Sequence, residues 1–242
     1  MSRLYLRAER QGDRTVITES QFTAPLKTAV PFYRDEFTEV MMMSASAGML
    51  EGDEFDIRIH VCQGASLKVS GQSFDKLFKC SENGITRRVK INVESGAQLI
   101  YMQPPAIPFA CSRFSGETDV RLRSDSVFVI QDVLSCGRTA MEEYFMFSEF
   151  RSRLSVKRDG RLVFLDNVRL SPGEINLKGT GFFEGHTHSG MMYAYGTELK
   201  DVPEGMDAAV TDAAAGKCVR MLSESSQSIT DVFESMIMCF NK

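Results

Sequence analysis

The chain has 242 residues, 43% hydrophobic and 25% charged, with a formal net charge of −4. That is enough apolar material for a sizeable buried core, and the acidic excess argues against a protein that grips a phosphate backbone, which needs a basic surplus. No apolar run approaches the roughly 18 residues of a membrane span. The opening MSRLYLRAER also lacks the apolar stretch of a secretion signal, so we expect a cytoplasmic protein with neither nucleic acid nor membrane as partner.

Alternation then dominates in chain order. Arg3-Leu4-Tyr5-Leu6-Arg7 is polar-apolar, the period of a strand with one buried face. Gly12-Asp13 turns it into Thr15-Val16-Ile17-Thr18. The run Val40-Met41-Met42-Met43 leads into SASAGMLEGD, residues 44–53, and then into the alternating strand Glu54–Val61. Asn83-Gly84 precedes a further strand, Ile85–Val93, and Asp159-Gly160 joins Arg153–Lys157 to Leu162–Leu165 as a hairpin. The layout is mainly β.

A weak internal repeat refines this reading. Val61-Cys62-Gln63-Gly64-Ala65-Ser66-Leu67 is echoed by Val93-Glu94-Ser95-Gly96-Ala97-Gln98-Leu99, and more loosely by Leu122–Phe128. A spacing of about thirty residues is one that stacked repeats use. We therefore expect a layered, solenoid-like β architecture in preference to a simple sandwich, forming a single domain over 1–242. At the C-terminus Ile229, Val232, Phe233, Met236, Ile237 and Phe240 fall on one face of a helix. Ser228 and Asp231 fit a capping box, which places the helix at about 228–240.

Chemistry is sparse at this level. The six cysteines show no C-x-x-C and read as reduced thiols, and the 14 methionines read as core filler. SASAGMLEGD fails as a phosphate loop, because Asp53-Glu54 stands where Lys-Ser/Thr is required. No G-x-G-x-x-G or G-x-S-x-G occurs. His186-Thr187-His188 would put both rings on one face of a strand and could offer two metal ligands, against an ordinary strand face. The acid pairs Asp53-Glu54 and Glu142-Glu143 could serve a β-solenoid hydrolase acting on polysaccharide. The absence of tryptophan disfavours that alternative, since sugar sites commonly stack rings on aromatics.

Several motifs in order go further: Ala24-Pro25-Leu26-Lys27, Ala47-Gly48-Met49-Leu50-Glu51-Gly52-Asp53, Gln72-Ser73-Phe74-Asp75-Lys76 and Pro104-Pro105-Ala106-Ile107-Pro108-Phe109. Gly137-Arg138-Thr139-Ala140 with Glu143 and Phe145 follows, then Arg158-Asp159-Gly160-Arg161-Leu162. Together they closely resemble the urease accessory protein family known as UreD or UreH, from about residue 22 to 170. The departures are Ala47 where a second glycine is common, Glu142 where glycine usually precedes the motif glutamate, and Tyr101-Met102-Gln103-Pro104 for a Trp-Leu-Pro stretch.

The resemblance implies a non-enzymatic scaffold of β-helical topology. Its implied partners are the helical accessory protein F, the nickel-carrying accessory GTPase G and apo-urease. It implies no tightly bound cofactor, and nickel as a transient passenger on an internal route. The candidates for that route are Asp53, Ser73, Asp132 and Glu143, with His186 and His188 as a weaker second choice. Gly48, Gly52, Lys76, Pro104, Gly137 and Arg138 read as structural motif residues, Arg138 as the ion-pair partner of Glu143. Asp53 also has a structural reading, as the residue that fixes its turn by bonding backbone amides.

Overall fold

The computed structural model describes residues 1–34 and 36–238. Alternation becomes strand wherever the sequence carries it. Strands β1 (Ser2–Gln11) and β2 (Arg14–Phe22) pair across Gly12-Asp13, followed by β3 (Leu26–Thr28), β4 (Phe32–Tyr33) and β5 (Thr38–Ser44). The chain then shuttles between two layers through β6 (Glu54–Val61), β7 (Ser66–Gly71), β8 (Asp75–Leu77), β9 (Ile85–Val93) and β10 (Gln98–Met102). It continues through β11 (Ala106–Pro108), β12 (Arg113–Leu122), β13 (Val127–Ser135) and β14 (Glu149–Arg158). Strands β15 (Arg161–Leu170), β16 (His188–Tyr195), β17 (Ala208–Asp212) and β18 (Lys217–Ser223) close the layers ahead of helix α1 (Ser226–Met236).

The pairing is that of a coil. β6, β9, β12 and β14 stack in parallel in one sheet, and β5, β7, β10 and β13 in the other, so each pass advances the chain by one rung. The sequence repeat marks the corner between the sheets. Ser66, Gln98 and Val127 lie in register, Ala65 accepts from the Gln98 amide at 2.9 Å, and Ala97 accepts from the Val127 amide at 2.9 Å. The looser third copy puts buried Ser126 where the others have alanine. Its hydroxyl donates to the carbonyls of Val93 and Glu94, tying one rung to the one below. The solenoid-like expectation is met, and antiparallel strands cap the coil: β2 on β1 and β15 on β14 in the first sheet, β3 on β5 and β16 on β13 in the second. Such caps keep a repeat from adding strands of another molecule.

Inward positions carry the core between the sheets, as with Ile57 and Ile59 on β6, Val89 and Ile91 on β9, and Leu99 on β10. The opposite face of the second sheet holds another apolar layer. Ile100, Met102, Val129, Val133 and Met192 pack there against Ile229, Val232, Phe233 and Met236 of α1. Burying each such side chain is worth roughly 1.5–3 kcal/mol, so the helix is held by its stripe. It starts earlier than the sequence reading placed it. Ser225 is the N-cap, with extended backbone, and its side chain accepts from the Ser228 amide. In a run of serines the cap falls to the one whose backbone is already extended, and the 228–231 pair lies inside the first turn. Ile237 ends the helix in extended conformation; Phe240 lies outside the described residues.

Candidate functional site

Five of the six motif stretches lie toward one end of the coil, opposite the repeat corners; the sixth, 158–162, sits at those corners, where the Asp159 amide donates to the Leu122 carbonyl at 3.0 Å. Met49 bridges to Leu77, and its amide donates to the Lys76 carbonyl at 2.8 Å. Asp75–Leu77 runs beside Ala106–Pro108, and Phe145 donates its amide to Cys136 at 2.7 Å. Close backbone approach explains two of the glycines. A Cβ at Gly48 would sit 2.5 Å from the Lys76 carbonyl oxygen, and one at Gly137 would sit 2.2 Å from that of Glu143. Gly52, at φ 80°, turns the chain in the left-handed region. Pro104 presses against Gly71, where a Cβ would lie 2.2 Å from its ring.

Two acids singled out from sequence are bound within their own corners. Asp53 accepts the Leu50 amide at 2.7 Å on its carboxylate while its own amide donates to the Leu50 carbonyl, closing the turn. Glu143 is gripped by both arms of the Arg138 guanidinium and accepts the Ala110 amide; Arg138 in turn lies over the Phe109 ring at 4.3 Å. Hydrogen bonds from Arg138 hold the Glu143 carboxyl below its ordinary range, against a smaller effect of burial. Ser73 and Lys76 are exposed beside the opening that these corners surround.

The histidine pair does not share a strand face. β16 begins at His188, which is buried, its ring held by the Thr187 hydroxyl at 2.8 Å and its pKa lowered by burial. His186 precedes the strand and pairs with Asp207 at 3.1 Å and Glu224 at 3.2 Å. The turn ahead of β16 breaks the alternation that would have aligned the two rings.

Asp132 is different, because it joins an array that runs between the sheets. On β13, Phe128, Ile130 and Leu134 point into the core, and Asp132 occupies the same inward register. Ser152 of β14 donates to it at 2.6 Å and the Gln103 side-chain amide at 3.2 Å. On β9 the inward register holds Arg87, 6% exposed, paired with Asp75 and stacked 5.2 Å over the Phe114 ring. Buried Tyr101 of β10 lines the same cavity as Asp75 and Arg87. Asp166 of β15, paired with Arg220, continues the line. Burial pushes the carboxyls of Asp75 and Asp132 toward the protonated form; Arg87 opposes this at Asp75, and Ser152 and Arg87 oppose it at Asp132.

A cavity opens at each end of this array. One, among the motif corners, is lined by Met42, Gly48, Ser73, Asp75, Arg87 and Tyr101. The other is lined by Asp132, Ser152, Asp166, Phe183, Met191 and Arg220. The Arg87–Asp75 pair thus borders one opening and the Asp132–Ser152 pair the other, with the inter-sheet core between them. Charged groups are costly there unless paired, and the acceptor oxygen of Gln103 is left without a hydrogen-bond partner.

Asp75, Arg87, Tyr101, Gln103 and Ser152 were not singled out from sequence. One signal was available for Arg87: it breaks the apolar face of Ile85, Val89, Ile91 and Val93. A charged residue at an inward register is informative in a way that a surface charge is not.

The whole chain, residues 1–242, matches the family model described as UreD urease accessory protein. It belongs to that family. The urease accessory protein UreD of Acetivibrio thermocellus is 39% identical over 202 residues, 83% of this chain and 77% of the relative. UreH of Helicobacter pylori strain P12 is 30% identical over 246 residues, covering 97% of this chain and 93% of the relative. UreD of Flavobacterium johnsoniae is 26% identical, covering 92% and 86%. An accessory role in urease maturation comes with membership of the UreD family. No helix among the described residues is long and apolar enough to cross a membrane.

Proposed function

We propose that this chain is a non-catalytic scaffold of urease maturation. Together with the helical accessory protein F and the GTPase G, it docks on apo-urease and assists GTP-dependent nickel insertion. The polar array between the sheets is the route of the nickel, which is cargo and not a resident cofactor. One observation carries this reading: in a urease accessory protein, half-buried Asp75 and Asp132 stand between the sheets, each bordering a different opening. A conduit must attract a cation without keeping it. Single carboxylates set apart along a path, with a free amide oxygen at Gln103, bind weakly enough to release. Among the described residues no cluster of three metal-ligating side chains lies on the path.

Less supports the hydrolase alternative: of its acid pairs, Asp53 is held in its turn and Glu143 is clamped by Arg138, which favours the ionised form over that of a general acid. The deciding experiment is deletion of this protein in a cell that expresses urease, with nickel occupancy of the enzyme then measured. Occupancy should collapse, and normal occupancy would overturn the reading. Co-purification with F and G tests the assembly separately.

A further inference from the structure

A second constellation lies at the opposite corner of the coil, on the outer face of the seven-stranded sheet. His60 is near the end of β6 and Cys62 just follows it, its amide still donating to the Ala8 carbonyl at 2.9 Å, so both side chains leave the same face. Val61 is in register with Val93 of β9, which sets Glu94 beside Cys62. The ligand atoms of His60, Cys62 and Glu94 all lie within 4.8 Å of one another, and His60 Nε2 meets Glu94 Oε1 at 2.6 Å. The other carboxylate oxygen of Glu94 accepts the Gln63 amide at 3.0 Å. One oxygen is thereby tied to backbone while the other faces the ring, which is how an outer hydrogen bond orients a ligand. Arg7 is the cation that acts on Cys62, and Glu9 at 2.6 Å and Glu19 at 3.8 Å offset it. The groove that His60 lines is basic, with Arg58, Lys90, Arg121, Arg123 and Lys157 against Asp119 and Asp159.

We propose that His60, Cys62 and Glu94 form a metal site for a single divalent cation of the nickel–zinc group. An imidazole, a thiolate and a carboxylate are the donors that borderline cations take, whereas calcium and magnesium want oxygen alone. A cation between His60 Nε2 and Glu94 Oε1 needs these atoms to part by roughly 0.3–0.8 Å if each bond is near 2.0–2.1 Å. All three side chains are half-buried at a strand end and so have room for that shift. Cys62 gives up its thiol proton on binding. Three protein ligands leave a coordination position open, which marks a site that exchanges its ion rather than one that staples the fold. The site is independent of the interior path, so either can fail without the other.

The test uses the full chain, stripped of metal and kept reduced. Addition of cobalt(II) or nickel(II) should produce a saturable thiolate-to-metal charge-transfer band at one equivalent. Cys62→Ser should abolish it, His60→Gln and Glu94→Gln should weaken binding by roughly tenfold or more, and Cys80→Ser and Cys111→Ser should leave it intact. A band that survives in Cys62→Ser, or its absence from the unaltered chain, overturns the site. Alkylation followed by mass spectrometry needs no variant. Metal should slow modification of Cys62 and spare the exposed Cys111, whereas equal rates at Cys62 with and without metal refute the proposal.

Discussion

Asp132 shows most directly what a single side chain contributes. Its folded pKa is raised by burial, so the folded state binds protons more tightly than the unfolded chain. Its contribution to stability therefore falls as pH rises through the window above about 3.9, the unfolded value, and is still unfavourable at neutral pH. Asp132→Asn removes that penalty and keeps an acceptor for Ser152. We expect a melting temperature at pH 7 that is unchanged or higher, together with a several-fold loss of nickel-dependent urease activation; full activation by the variant would remove Asp132 from the path. Arg87 behaves in the opposite sense. Arg87→Leu strands Asp75 beside the core and should destabilise by about 3 kcal/mol, and Arg87→Leu/Asp75→Leu should recover much of it, as denaturant titration can show. Glu51 has the reverse sign from Asp132. The amides of Glu82 and Asn83, with the Ser81 backbone and hydroxyl, lower its pKa to about 2. Its support is fully present above the unfolded value of 4.5 and is lost as pH falls through about 2. Unfolding curves between pH 5 and 2 should accordingly show a shallower acid dependence for Glu51→Gln.

At the level of elements, helix α1 rests on the second sheet through a few side chains. Phe233 is fully buried there and reaches toward Gly190, where a Cβ would meet its ring at 3.1 Å. Phe233→Ala should cost about 3–5 kcal/mol, read from denaturant unfolding, and an effect below 1 kcal/mol would mean that the helix is not docked as described. This stripe was legible in the sequence because apolar spacing alone encodes it, and so were the strands, whose inward residues alternate. The helix start was not, because Ser225, Ser226 and Ser228 all have side chains that can cap. The interior array was legible only in fragments. Asp75, Arg87, Asp132 and Ser152 come from four strands, and nothing in their spacing announces that winding the coil brings them together. Asp53 and Glu143 stood out because they lie inside motifs, and there the structure gives them bonds that hold corners in place. The histidine pair satisfied the strand period in sequence, and a turn defeated it in space.

For the molecule as a whole, stacking in parallel registers gives a rigid body whose two openings are fixed relative to one another. Each rung contacts its neighbours and little else, so an array crossing several rungs is only as continuous as their register. The corner that holds Arg138 and Glu143 also carries exposed apolar side chains, Met141, Tyr144 and Met146, and Val30, Phe32 and Tyr33 are exposed near the β4 edge. Apolar area of this kind favours association. The chain alone should therefore aggregate at concentrations where a complex with its accessory partner stays monodisperse by light scattering, and a concentrated, well-behaved monomer would contradict that. A plug tests continuity itself. Ser152 sits at the second opening with its hydroxyl on Asp132, so Ser152→Leu removes a polar contact and fills the lane with an apolar side chain. Binding surfaces on the outside are untouched, and assembly with the partners should survive while nickel occupancy of urease falls several-fold. Normal occupancy in an intact complex would mean that the cation travels outside the coil. Loss of both assembly and occupancy would instead mean that Ser152 holds the sheets together, a distinction that the co-purified yield of the complex makes directly.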